Sequence, residues 1–441
     1  MSESQFSPSA AAMDFIQRQH KILIGDQWLA AEDGRTLPVI NPANGEQIAT
    51  VPSGDKADVD KAVAMARKTF EDSDWSRIKP VDRQKLLWNF ADLIEKNASL
   101  LAEIESLDNG KSVVIAEHVD IRLAVDFLRY MAGFATKIEG RSVDVSVPFM
   151  PDAQFHGYTR REAVGVVGAI VAWNFPLLLA CWKLGPALAT GCTVVLKPAD
   201  ETPLTALMLG QLALEAGYPP GVLNVVTGVG IEAGAALSHH PDVDKLTFTG
   251  STQVGKMIGK AAIDSMTRVT LELGGKSPTI VLEDADLQTA AAGAANAIFF
   301  NQGQVCCAGS RLYVHKKHFD NVVADISAIA EGMTLGHGLD PNAQMGPLIS
   351  AKQQNRVCNY IEQGRNSGAT ITTGGIAVPG PGFFVKPTVM VDVNQHSSVV
   401  QEEIFGPVLV AMPFVDIEEA IRISNDSQDG LGPSIGSNNL S

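Results

Sequence analysis

From Glu162 onward the chain alternates short β-branched runs with amphipathic segments, and no other feature restricts its fold as much. Extended runs at 164–171, 193–197, 222–226, 245–248 and 267–273 are separated by helical spacing at 176–190, 203–216, 231–237 and 251–262. Strands joined by helices must cross over and so run parallel, and runs that are apolar throughout belong to strands covered on both faces. The predicted fold class is α/β, with a parallel sheet whose strand C-terminal ends are the place for a dinucleotide. A second α/β region follows at 277–414, with strand signals at 278–282 and 311–314 and helix signals at 290–299 and 318–331.

Upstream, 21–28 reads as a hairpin, and 55–70, 81–107 and 116–133 place apolar residues at three- and four-residue steps, as helices do. Between 140 and 161 the pattern alternates through Val143, Val145 and Val147 before a Pro-punctuated turn, the mark of a protruding hairpin. Residues 164–182 are long enough to span a bilayer and carry Asn174 as their one strongly polar side chain. Gly165, Gly168, Trp173-Asn174 and Pro176 divide them into a buried strand, a turn and a helix start, so no membrane span is expected.

At 441 residues the chain has room for two or three domains. Lys and Arg number 34 against 49 Asp and Glu, for a net charge of −15 and a pI near 5.0. That balance argues against nucleic acid or an anionic membrane as partner and leaves small-molecule chemistry. The cysteines 181, 192, 306, 307 and 358 are odd in number and lack C-x-x-C spacing, so neither a disulfide framework nor a zinc site is signalled, and a reducing cytoplasm fits. The first residues lack a basic start before an apolar run, so no secretory signal and a loose N-terminus are expected. No histidine has ligand spacing, and no metal is assigned.

Three motifs carry chemistry. Phe300-Asn-Gln-Gly-Gln-Val-Cys306-Cys307 ends an amide-rich turn in thiols. A lone cysteine is more often a small buried hydrophobe, but these amides supply polarity that a packing thiol does not need, and a helix start nearby would lower its pKa. Glu272 leaves an alternating strand for the Gly274-Gly275 turn, where water can reach it; a structural salt bridge is the alternative. Asn174 sits in a strand-to-helix turn, where it could also bond its own backbone. A soft nucleophile, a carboxylate and an amide donor are what covalent catalysis on a carbonyl requires. Gly250-Ser251 joins a strand to a helix N-terminus suited to a pyrophosphate or to an ordinary cap, and Gly228-Val-Gly230-Ile-Glu-Ala-Gly234 is a loose glycine motif.

From about residue 22 to residue 427 these motifs, in this order, resemble the aldehyde dehydrogenase family. The resemblance implies a parallel-sheet NAD-binding domain (1–139 and 162–272), an oligomerisation hairpin (140–161) and a catalytic domain (273–441). It makes Cys306 the nucleophile, Glu272 the general base, and Asn174 with the Cys306 backbone N–H the oxyanion donors. Lys197 and Asp200 would hold the adenosine ribose, Gly230, Gly250 and Ser251 the phosphates, and Glu403 the nicotinamide ribose, with Trp173, Leu273 and Phe405 completing the NAD site. The family commonly has Glu at the position of Asp200; either carboxylate repels a 2′-phosphate, so NAD is expected over NADP.

By the same resemblance Phe175, Leu179, Trp182 and Phe300 line an aromatic entrance, although core packing explains each as well. Phe15-Ile-Gln-Arg-Gln-His20 and residues 301–306 resemble bacterial phenylacetaldehyde dehydrogenases within the family. An arylacetaldehyde substrate, a place in aromatic catabolism and a cytoplasmic homo-oligomer, dimer or tetramer, follow as expectations. Two alternatives are a CoA-acylating relative, which would usually lack the base, and a homologue without turnover. The resemblance also implies roughly fifty to sixty further residues after Ser441, including a strand that completes the oligomer, so a chain ending there is expected to be less soluble and less active. Pro433 and Gly436 depart from the family, and Pro433 would remove a ladder donor and oppose a strand.

Overall fold

Two sheets organise the chain in the computed structural model, which describes residues 6–439. Residues 1–5, expected to be loose, lie outside the described residues. The first sheet has the order Arg268–Glu272, Lys245–Thr249, Val166–Ile170, Thr193–Lys197, Leu223–Val225, Ile22–Ile24, Gln27–Leu29. Its first five strands are parallel, and the hairpin of the last two joins antiparallel through Leu23 and Val225.

Chain order reverses at Val166–Ile170. The next two parallel strands lie to one side of it and the last two to the other, which opens a crevice beyond the C-terminal ends of Val166–Ile170 and Lys245–Thr249. Every residue of Val166–Ile170 is buried, as a strand covered on both faces requires. The helix Pro176–Thr190 starts with proline, whose missing N–H costs nothing there, and ends on Gly191 at φ 90°.

The second sheet runs Thr370–Thr373, Thr388–Val391, Val408–Phe414, Arg311–His315, Pro278–Val281, Ser434–Gly436. Helices Leu287–Phe299 and Phe319–Gly332 bury Ile298, Val322 and Ile326 with Leu312, Val314 and Leu409 of this sheet. Its last strand corrects an expectation. Ser434–Gly436 pairs parallel with Thr279, Ile280 and Val281 although Pro433 precedes it. Proline stands just before an edge strand, where no ladder N–H is asked of it.

Other boundaries also moved. The segment 81–107 forms two helices, Pro80–Lys96 and Ala98–Asn109, divided at Asn97, whose side chain donates to Leu93 O at 2.8 Å. The segment 116–133 opens with a wide turn, Ala116–Ile121, before Arg122–Phe134. Between 140 and 161, pairing is confined to Ser142–Val143 with Gly157–Tyr158. No helix among the described residues is long and apolar enough to cross a membrane.

Candidate active site

Three loops converge at the crevice. The first carries the thiols and is bent by an unusual backbone run: Asn301 at φ 49°, Gln302 at φ 59° and Gly303 at φ 69° are left-handed in succession. Such a run costs about 1–3 kcal/mol for each non-glycine residue and persists only where the surroundings hold it. Here a Cβ on Gly303 would lie 2.1 Å from Gly406 O, so the loop is pressed against the 406–407 backbone. Gln304 is fully buried and accepts from Ile349 N through Oε1 at 3.0 Å.

Cys306 is half-buried and Cys307 exposed. The expected helix start beside them is absent: Leu287–Phe299 ends before the loop, and the next helix, Phe319–Gly332, begins beyond a strand. Without a helix N-terminus to lower it, the Cys306 pKa is pushed up, first by the adjacent Cys307 thiol, then by burial and by the charge of Glu272. The same pairing of thiols draws Cys307 down to about 6.

Asn174 stands on the second loop, buried, and its Nδ2 donates to Gln304 O at 3.0 Å. One amide N–H thus ties this loop to the thiol loop, and the amide carries a second. On the third loop Glu272, half-buried, ends its strand close enough to Cys306, Cys307 and Lys183 to act on their charges. Lys183 is buried, with Nζ 2.8 Å from Thr249 Oγ1, and its pKa falls to about 8 because burial outweighs the pull of Glu272. Sequence reading missed it; the available signal was a lysine inside an otherwise apolar helix.

The other singled-out residues fall into two groups. Phe175 and Phe300 stack with centroids 6.3 Å apart and planes at 22°, flanking Asn174 and the thiol loop. Leu179 is core, and Trp182 is 45% exposed against Phe127, outside that pair. Among the residues expected at the cofactor, Lys197 Nζ pairs with Asp200 Oδ1 at 2.5 Å, and Asp200 Oδ2 accepts from Gly230 N at 3.2 Å. A Cβ at Gly230 or Gly234 would meet nothing within 4 Å, which leaves open space over that backbone. Ser251 caps Thr252–Asp264, and Gly250 lies so near Phe248 that a Cβ would come 2.5 Å from its ring.

At the thiol end, Trp173 and Phe405 meet edge-on at 5.2 Å, and Leu273 packs on Gly255. Glu403 accepts from Gly275 N at 3.2 Å, with its pKa raised chiefly by burial. Carboxylates beside a lysine and uncovered glycine backbone suit sugar hydroxyls and phosphates, so this donor set fits NAD. Among the described residues no cluster of His, Cys, Asp and Glu could hold a metal ion.

Residues 28–441 match the aldehyde dehydrogenase family. The chain is 49% identical over 435 residues to phenylacetaldehyde dehydrogenase of Pseudomonas fluorescens, a match covering 98% of this chain and 87% of that protein. Among solved structures, the NAD+ complex of aldehyde dehydrogenase from Bacillus cereus superimposes with a TM-score of 0.96 at 46% identity, covering 99% of this chain and 87% of the other. The P. syringae indole-3-acetaldehyde dehydrogenase, in complex with NAD+ and IAA, gives 0.93 at 42% identity, covering 97% and 86%.

Proposed function

This chain belongs to the aldehyde dehydrogenase family, and we propose that it oxidises an arylacetaldehyde such as phenylacetaldehyde to the carboxylic acid through covalent chemistry on Cys306. NAD is the cofactor of this aldehyde dehydrogenase. The observation that carries the mechanism is the bond from Asn174 Nδ2 to Gln304 O, which sets an amide donor beside the thiol loop within the field of Glu272. We assign Lys197 and Asp200 to the adenosine ribose, Gly230, Gly250 and Ser251 to the phosphates, and Trp173, Leu273, Glu403 and Phe405 to the nicotinamide end.

The Cys306 thiolate adds to the carbonyl carbon, forming a C–S bond and an alkoxide that takes hydrogen bonds from Asn174 and the Cys306 backbone N–H. Bound NAD supplies the acceptor for the hydride expelled as the alkoxide collapses to a thioester. Glu272 removes a proton from water, whose oxygen attacks the thioester; the C–S bond breaks, releasing the acid and restoring the thiol. Retention of Glu272 favours water over CoA as the acyl acceptor.

The stacked Phe175 and Phe300 support an aromatic substrate, as do the arylacetaldehydes in the names of two relatives. Asp200 favours NAD over NADP. We also place the protein in the cytoplasm, in aromatic catabolism, as a homo-oligomer built through the 140–161 hairpin.

A panel of phenylacetaldehyde, propionaldehyde and betaine aldehyde, followed by NADH absorbance with and without CoA, tests this reading. Phenylacetaldehyde should give the highest kcat/KM without CoA, and Cys306→Ala should abolish turnover. Equal or better kcat/KM on the other aldehydes overturns the substrate, and unchanged turnover in Cys306→Ala overturns the mechanism.

A further inference from the structure

The turn that presents Asn174 lies outside any sheet ladder, so the orientation of its amide depends on whatever holds the peptides around it. Three side chains do so. Asn109 Nδ2 donates to Trp173 O at 2.7 Å, Asn301 Nδ2 donates to Asn174 O at 3.1 Å, and Lys111 Nζ donates to that same carbonyl at 2.9 Å. Lys111 is the unusual member. Its side chain is wholly buried, it pairs with Asp120, it lies 3.4 Å from Glu105 Oε1, and its ammonium sits 4.3 Å over the Phe175 ring.

Both carboxylates are equally buried, and Glu105 Oε2 accepts from Leu177 N at 3.1 Å, three residues beyond Asn174. The charged cluster therefore grips the Asn174 carbonyl and the helix start that follows it, while Asn109 holds the preceding carbonyl. A buried ion pair is a poor way to add stability, since desolvation offsets most of the attraction, whereas a fixed ammonium donor is a good way to set the direction of a carbonyl.

Resting on the assignment of Asn174 as oxyanion donor, we propose that Lys111 is a positioning residue: its ammonium fixes the Asn174 peptide, and through it aims the Asn174 amide at the developing alkoxide. Asp120 and Glu105 hold the ammonium in place. Lys111 touches neither substrate nor cofactor in this assignment, so its effect on rate passes through Asn174.

A double-mutant cycle on the full chain separates that role from a structural one, with kcat and KM measured for phenylacetaldehyde and propionaldehyde. Asn174→Ala should lower kcat by about a hundredfold or more. Lys111→Met should lower kcat about tenfold or more with KM little changed, and should add almost nothing in the Asn174→Ala background, since residues acting through one group are not additive. Equal factors in both backgrounds would overturn the proposal while leaving Asn174 in its role. Full activity of Asn174→Ala would instead overturn the role of Asn174.

Should Lys111→Met fail to fold, Lys111→Arg takes its place in the same cycle. Arginine keeps a charge against Asp120 but cannot present a single ammonium to the Asn174 carbonyl. A loss in kcat that disappears in the Asn174→Ala background supports the proposal, and full activity of Lys111→Arg overturns it.

Discussion

Cys306 shows how a residue's identity and its state can come from different places. As a candidate it was legible, because the amides around it supply polarity that a packing thiol does not need, and Glu272 and Asn174 were legible as candidates because they are polar groups at the punctuation between strand and helix. Its ionisation was not. The expected helix start is missing, and a neighbour in sequence, Cys307, is the largest cause of its raised pKa. A raised pKa means that the thiolate gains population only as pH rises, so kcat/KM should climb on the alkaline side. Cys307→Ala removes that largest cause and should move the rising limb to lower pH. A pH profile of kcat/KM identical to wild type would contradict this account. Lys111 and Lys183 went unassigned because each acquires meaning from partners more than sixty positions away, at Asn174 and Thr249; a lysine inside an apolar helix marks Lys183 as unusual, but no local spacing records where it converges.

The helix Ala98–Asn109 places three groups from its last turns on other elements. Glu105 accepts from Leu177 N and Asp108 from Leu204 N at the starts of two helices, while Asn109 holds Trp173 O. A carboxylate at a helix N-terminus typically stabilises by about 0.3–1 kcal/mol, more when partly buried. Burial nevertheless raises the Glu105 pKa from 4.5 to about 7, ahead of the opposing pull of Lys111. A folded-state pKa above the unfolded one means that the protonated form favours folding: the contribution is complete below pH 4.5 and is lost as pH rises through 7. Glu105→Gln keeps an oxygen for Leu177 N and removes the titration. Its melting temperature should fall less than that of wild type between pH 5 and pH 8, as thermal scans would show; parallel curves would refute the assignment. The strand and helix alternation was readable because period and burial agree along each segment. The break at Asn97 was not, because one side chain bonding its own helix decides it.

Across the whole molecule, apolar side chains remain uncovered where the hairpin projects: Phe149 is 83% exposed and Tyr158 73% exposed. In the homo-oligomer proposed above, a second copy would cover these residues. Phe149→Asp combined with Tyr158→Asp should lower the mass measured by size-exclusion chromatography with light scattering, and an unchanged mass would count against the hairpin as the joining element. The Asn174 peptide is held by residues 109, 111 and 301 together, which gives the molecule an order of completion. As a ribosome extends the chain from its N-terminus, all seven strands of the first sheet emerge before Asn301 and the thiols do. In the mechanism proposed above, a nascent chain thus has no working trap for reactive carbonyls until the thiol loop has left the exit tunnel.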